Sequence, residues 1–540
     1  MKPLVLCFLG LTAFLYGLHG CVKRDLTPGA TSEQKLVFRY PIRTNPASLD
    51  PTRAVDVESF NLQQQIYEGL MGISEESQPI PKIAEKVEIK GKGRVYLFRL
   101  REGVRFSSGR EVRAEDFKWS FERNCSPKLY SQTARTYLGC ILGVREKIAG
   151  KAREIKGIQA LGPYLLKVIL EKPCPYFLGK LTHPVAAVLD RQVVPADREI
   201  TSLRELGSAA PYQVSAYFPN QLIQLRANPH YHVGVPKTEL IEIPILKDSQ
   251  VCLNKFKSGD LDVTYVQSQD VVELQKDPVY KSQLQIYPTA SVLYLSLNPD
   301  GYPPFRDLRV RRAVAMSIDR EDIVDRIMDG VHVAAYSLLP PRVLGYQNMR
   351  LTPPYDPEGA RKLLKGAGYV QPSAMPVLRL YLVDQSTSAR RCAEAIAMQI
   401  TSHLRIPVQL HRMDLGTLYQ KHSRKQLEFT LIGWKPTYLD PENYLSTLLL
   451  SSSPMNYSGY KNKFFDALCQ RADHSMDPKE RHRLYAKAEK MALQDVALIP
   501  LYFFRDAELV NHRVRGLKRS LFGHLPYVSV ELKPNDKNTH

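Results

Sequence analysis

Three groupings in this 540-residue chain have the residue types that chemistry requires. His230 and His232 stand two apart, a spacing one metal ion could span, although a coordination site usually needs three or four converging ligands. Beyond Cys7 and Cys21, six cysteines remain: Cys125, Cys140, Cys174, Cys252, Cys392 and Cys469. None forms C-x-x-C or a zinc-like spacing. In an exported protein some could pair, Cys125 and Cys140 being nearest in sequence, and six buried thiols read equally well. The third grouping is IGWKPTYLDP, residues 432–441, which sets Trp434 between a glycine and a turn rich in proline and acid. On the residues alone such a tryptophan is more often a core or lobe-packing residue than a pocket wall. An enzyme needs a constellation, and the sequence has no G-x-S-x-G, no H-E-x-x-H and no phosphate-cradling glycine loop. No enzymatic constellation is therefore read, and neither a catalysed reaction nor a cofactor is expected.

The front end says where it works. Residues 1–20 carry Lys2, an apolar run from Leu4 to Leu18, and Gly20 immediately before Cys21. That is the anatomy of a signal peptide. The run is shorter than the ~20 residues of a comfortable membrane span. Leu18-His19-Gly20-Cys21 resembles the lipobox of bacterial lipoproteins, in which the cysteine is diacylated and becomes the new N-terminus; His19 is unusual in that pattern. Residues 21–35 are polar with Pro and Gly, suited to a lipidated tether. The expected location is the periplasmic or cell-surface side of a bacterial membrane, held there by the lipid. The formal net charge of +19 is scattered among acids, so it reads as solvated surface favouring acidic ligands or an anionic membrane face. No nucleic-acid partner is expected, and the signal occupies the place an N-terminal DNA-binding unit would take.

Strands and helices alternate throughout, and a chain this long should form two or three lobes. The segment 35–42 reads as a strand, and 60–70 as a helix with Leu62, Ile66 and Leu70 on one face. RVYLFRLREGVRFSSGREVRAEDFKWSFER reads as a strand, a turn at Arg101-Glu102-Gly103, a short return strand and a helix from near Ala114. APYQVSAYFPNQLIQLRANPHYH reads as two strands around Pro219-Asn220. In PPFRDLRVRRAVAMSIDREDIV, Val310, Ala313, Val314, Ser317 and Ile318 share a face that leaves Arg309, Arg311 and Arg312 outside. YDPEGARKLLKGAGY is a capped helix with Leu363 and Leu364 inward and Gly366 and Gly368 at its exit. RHRLYAKAEKMALQDVALIPLYFF is a helix running into a buried strand.

These segments occur together in a familiar order. With ASLDPTRAVDVESFNLQQQIYEGLMG and LIGWKPTYLDPENYL, they resemble the successive blocks of the family 5 bacterial solute-binding proteins over residues 36–517. PCPYFLGKLTHP, residues 173–184, is similar to the oligopeptide-binding branch. The resemblance implies an α/β fold of the type II periplasmic-binding-protein class, two lobes with a hinge plus a third inserted domain, closing on a ligand. It places lobe I at 36–67, 190–288 and 506–540, the inserted small domain at 68–189 and lobe II at 289–505. The implied function is capture of an oligopeptide in the interlobe cleft by a monomer and delivery to the membrane permease subunits of an ABC importer. Cell-wall-derived peptides are the alternative ligand, and a metal or metal-chelate binder the alternative class.

The resemblance also implies a site. An extended peptide adds to the Gly433-Trp434 strand main chain to main chain, with Trp434 walling a pocket beside Gly433 and Lys435. Val55 and Val57 match an opposing strand in the first lobe, and Phe504 matches a pocket-lining aromatic. Two positions depart from the family pattern. Thr437 stands where peptide-binding members carry the Asp that pairs with the α-amino group, and a hydroxyl cannot neutralise a buried ammonium. Asp440 is the nearest carboxylate in sequence, though a turn acid is its plainer role. Leu431 stands where some members place an Arg for the peptide carboxylate; Arg390, Arg391, His422 and Arg424 lie in flanking segments.

Overall fold

The computed structural model describes residues 36–54, 56–384 and 386–534. The leader, Cys21, the tether and Val55 lie outside the described residues. Among the described residues, three large sheets, beside three two-stranded ones, carry the apolar cores. The first runs in the order Val37–Arg39, Leu240–Pro244, Leu222–Ala227, Tyr212–Phe218, with its first pair parallel and the others antiparallel. Phe38, Ile223, Leu225 and Ile241 are buried beneath it. The second, Ala84–Lys90, Val95–Leu100, Leu165–Ile169, Ile158–Gly162, is antiparallel throughout. The helix Ala114–Asn124 packs Phe117 and Phe121 into the same core as Phe98 of that sheet.

The third sheet joins the molecule together. Its order is Val263–Val266, Leu498–Val510, Leu284–Leu297, Phe429–Trp434, Leu378–Val383, Val408–Met413, with Val333–Ala334 also pairing with Leu498–Val510. Two of its strands are unusually long, Leu284–Leu297 with 14 residues and Leu498–Val510 with 13. They pair antiparallel from Leu284 opposite Leu509 to Ser296 opposite Leu498, and the register shifts between Pro288 and Val292. Proline offers no N–H to a ladder, so a break there is expected. One half of this strand pair adjoins Val263–Val266, the other Phe429–Trp434. The pair is thus the crossing between two bodies, and the expected boundaries at 288/289 and 505/506 fall inside it.

Local signals mostly emerge as read. Asn220 takes a positive φ of 62° in the tight connection between Tyr212–Phe218 and Leu222–Ala227. Asp307 caps the helix Leu308–Met316, which buries Val310, Ala313 and Val314. Arg311 and Arg312 donate to the carbonyls of Asp495 and Gln494, so these arginines staple neighbouring chain rather than await a ligand. Asp356 caps Pro357–Gly366, and Gly368, at φ +94°, lets the chain turn away after it.

Two readings are corrected. The helix expected at 60–70 runs Val57–Ile66, because the Asp56 carboxylate accepts from Ser59 N at 2.8 Å and starts it earlier. The return strand after Gly103 shrinks to a single bridge, Arg105 opposite Glu111. Arg110 binds both Asp116 and Asp190, holding that segment as a tight turn, while Val95–Leu100 finds its partners in more distant strands. The six cysteines are free thiols, five of them buried and Cys140 half-buried, as the second of the two cysteine readings expects. Among the described residues no helix is long and apolar enough to cross a membrane.

Candidate functional site

At the crossing, the strand Leu498–Val510 leaves one body and enters the other through Phe504, Arg505 and Asp506. A cavity of about 440 Å³ opens there. Val57 and Glu58 reach it from the start of their helix, Lys435 from the end of Phe429–Trp434, and His332 from a neighbouring loop. Residues hundreds of positions apart in sequence thus share one cleft. Val57 is 48% exposed, a large apolar side chain left open on the cavity wall. The opposing strand implied at Val55–Val57 is not what forms at Val57: capped by Asp56, this residue opens a helix.

The Phe429–Trp434 strand supplies the other wall. It lies antiparallel to Leu284–Leu297, with Gly433 opposite Leu293 and Trp434 opposite Val292. On its far side, Leu378–Val383 pairs only with Phe429 and Thr430. From Leu431 to Trp434, therefore, one edge has no strand partner among the described residues. Gly433 keeps this region slim: a Cβ there would stand 3.7 Å from the Phe504 ring, so any longer side chain would press on that aromatic. Trp434 is half-buried against the apolar cluster of Val292, Tyr294 and Ile432. Its indole N–H is shut off from water without an acceptor, and the tryptophan is not among the residues lining the 440 Å³ cavity.

The polar groups differ in what they have free. Thr437 Oγ1 lies 2.7 Å from the Tyr137 hydroxyl, whose ring stacks on His183 at 3.9 Å. Asp440 caps the short turn Pro441–Asn443 and forms a buried ion pair with Arg481 at 2.7 Å. It is spent on structure. Leu431 is buried in the core, Arg391 pairs with Asp329 at 2.9 Å, and burial pulls the pKa of His422 down to about 4. Lys435 meets water in the open cleft yet is ringed by protein; the enclosure lowers its pKa, with Asp506 and Glu58 opposing. Burial raises Glu58 and Asp506, the expected response of carboxylates drawn from water. Burial would raise Glu508 as well, but His524 and Arg519 outweigh it and bring that carboxyl to about 2.

The histidine pair does not converge. His232 Nε2 is 2.7 Å from Glu68, which also accepts from the Tyr231 hydroxyl, whereas His230 is exposed in the turn. No group of three metal-type ligands occurs among the described residues.

Residues 78–456 match the bacterial extracellular solute-binding proteins, family 5 Middle. That span is most of the chain. The chain belongs to this family. The family 5 protein is 30% identical over 519 residues to the periplasmic oligopeptide-binding protein OppA of Salmonella typhimurium, covering 94% of each. It is also 30% identical over 491 residues to the probable deoxycholate-binding periplasmic protein YgiS of Escherichia coli, covering 89% of this chain and 90% of that one. Among solved structures, the Escherichia coli murein tripeptide binding protein MppA superposes with a TM-score of 0.80 at 23% identity, covering 92% and 99% of the two chains. The architecture is accordingly the type II periplasmic-binding-protein fold.

Of the residues expected from sequence, Val57, Lys435 and Phe504 line this cavity, and Glu58 and Asp506, which carry no sequence signal, line it with them. Asp506 sits in an alternating strand like many solvent-facing acids. Nothing local marks it, since the cleft forms only when the strand crosses between bodies.

Proposed function

We propose that this protein captures oligopeptides in the cleft between its two lobes and delivers them to an ABC importer, anchored to the membrane through Cys21 after removal of residues 1–20. The carrying observation is the edge from Leu431 to Trp434, without a strand partner among the described residues, which runs into Lys435 on the cavity wall. A strand edge offers N–H and C=O groups at regular spacing, and an extended peptide can satisfy them whatever its sequence. Gly433 puts no side chain between that edge and the Phe504 ring, and Val57 lines the same cavity as Phe504 and Lys435. The oligopeptide-binding relative supports the same reading. A cell-wall-derived peptide is the second reading, favoured by Thr437, which carries no charge for a free amino group.

Native mass spectrometry on protein purified without refolding tests the ligand class. Co-purified masses that fragment as peptides are the expected result; a steroid-like or metal-chelate mass overturns it. Incorporation of labelled fatty acid tests the anchor, and labelling that survives Cys21→Ala would refute lipidation at that residue.

A further inference from the structure

The carboxylates in and around the cleft are nearly all committed. Asp56 holds Ser59 by two hydrogen bonds, Asp440 holds Arg481, Glu508 holds Arg519 and His524, and Glu58 accepts the backbone N–H of Arg43 at 3.3 Å. Asp506 is the exception. It lines the cavity and makes no hydrogen bond or ion pair among the described residues. It stands opposite Tyr287, where the two long crossing strands pair. Lys435, across the same cavity, is likewise without an ion pair.

A carboxylate drawn out of water with no cation in direct contact loses hydration that distant charges only partly replace. Such a group becomes favourable when an ammonium arrives, because a charge-assisted hydrogen bond in a partly dry site is stronger than a neutral one. The direction of its titration agrees, since burial raises Asp506 while Lys435 and Arg43 pull it back. The cavity therefore offers a free anion on a crossing strand and a free cation on the facing strand.

We infer that Asp506 is the ammonium-binding group of this cleft: a primary ammonium of the bound peptide, either its α-amino group or a lysine-type side chain, seats against this carboxylate. The inference rests on the peptide reading for its ligand but on Asp506 alone for its chemistry. A ligand bridging Asp506 and the Lys435 strand would touch both sides of the crossing, so the same contact favours closure.

Calorimetry on the full chain and on Asp506→Asn, a near-isosteric change, decides it. The probes are trialanine, N-acetyl-trialanine, N-acetyl-Ala-Lys-Ala and the diamine cadaverine. Asp506→Asn should weaken amine-bearing probes about ten- to hundredfold and leave N-acetyl-trialanine within about twofold. Loss for trialanine alone assigns the α-amino group, and loss for N-acetyl-Ala-Lys-Ala assigns the side chain. Equal loss for all probes, or none for any, overturns the inference while leaving peptide binding standing. If cadaverine binds through Asp506 and no peptide binds, the inference stands and the peptide reading falls. If no probe binds the wild-type protein, both fall.

Discussion

Tyr137 and Thr437, 300 positions apart, join hydroxyl to hydroxyl at 2.7 Å. Tyr137→Phe deletes one partner and keeps the ring stacked on His183, so the fold around it should survive. Thr437 is only half-buried, and water can take the vacated position, which puts the loss near ~1 kcal/mol rather than the cost of a stranded buried group. If the bond exists only in the closed form, that loss shifts the open-to-closed ratio about fivefold and weakens ligand binding to a similar degree. Other contacts bound the effect. Tyr176 stacks on Tyr438 at 5.9 Å and His474 Nδ1 lies 3.1 Å from Pro173 O, so the two bodies stay in register without this bond. Calorimetric titration of a peptide ligand into wild type, Tyr137→Phe, Thr437→Val and the double variant completes a cycle. Each single variant should lose about fivefold and the double no more than either. A double variant that loses about twenty-five-fold, the product of two independent effects, refutes the latch.

Three further outcomes concern stability. Asp50→Ala strands Arg123, whose guanidinium is 1% exposed and 2.6 Å from that carboxylate, and should cost about 3–5 kcal/mol in urea unfolding; a loss below about 1 kcal/mol would show that Arg123 finds water. Glu489 is fully buried, accepts from the N–H groups of Leu338 and Leu339, and is raised by burial to about 7. Because its folded pKa lies above the unfolded one, its stabilising share is complete below the ordinary carboxylate range and disappears as pH rises through 7. Glu489→Gln should therefore gain on wild type by up to about 3 kcal/mol between pH 5 and pH 8, and a pH-independent difference contradicts this. His422 shows the opposite sign: burial lowers it to about 4, so its share is present above the ordinary histidine value and is lost as pH falls from 6.5 toward 4. The melting temperature of His422→Phe should improve relative to wild type over that window, and parallel curves would remove His422 from the acid response.

Much of this protein is decided within short windows of sequence. Asp307, Asp356 and Asp56 start helices because a carboxylate one position outside a helix satisfies free N–H groups, whatever lies elsewhere. Asn220 and Gly368 turn the chain because they tolerate positive φ. The apolar spacing of Val310, Ala313 and Val314 fixes which face goes inward. Gly433, Lys435 and Phe504 were reachable because they lie in segments whose order along the chain resembles a family. Tertiary structure alone decided the state of each charge. Asp440 lies between Leu439 and Pro441 and Asp506 between Arg505 and Ala507, and neither setting marks its pairing, yet Arg481 arrives from 41 positions away to neutralise the first. Among the described residues no cation forms an ion pair with the second, although Lys435 lies across the same cavity. Whether a side chain is committed or free depends on which distant segments the crossing strands bring together, and desolvation and pairing have no value until that packing exists.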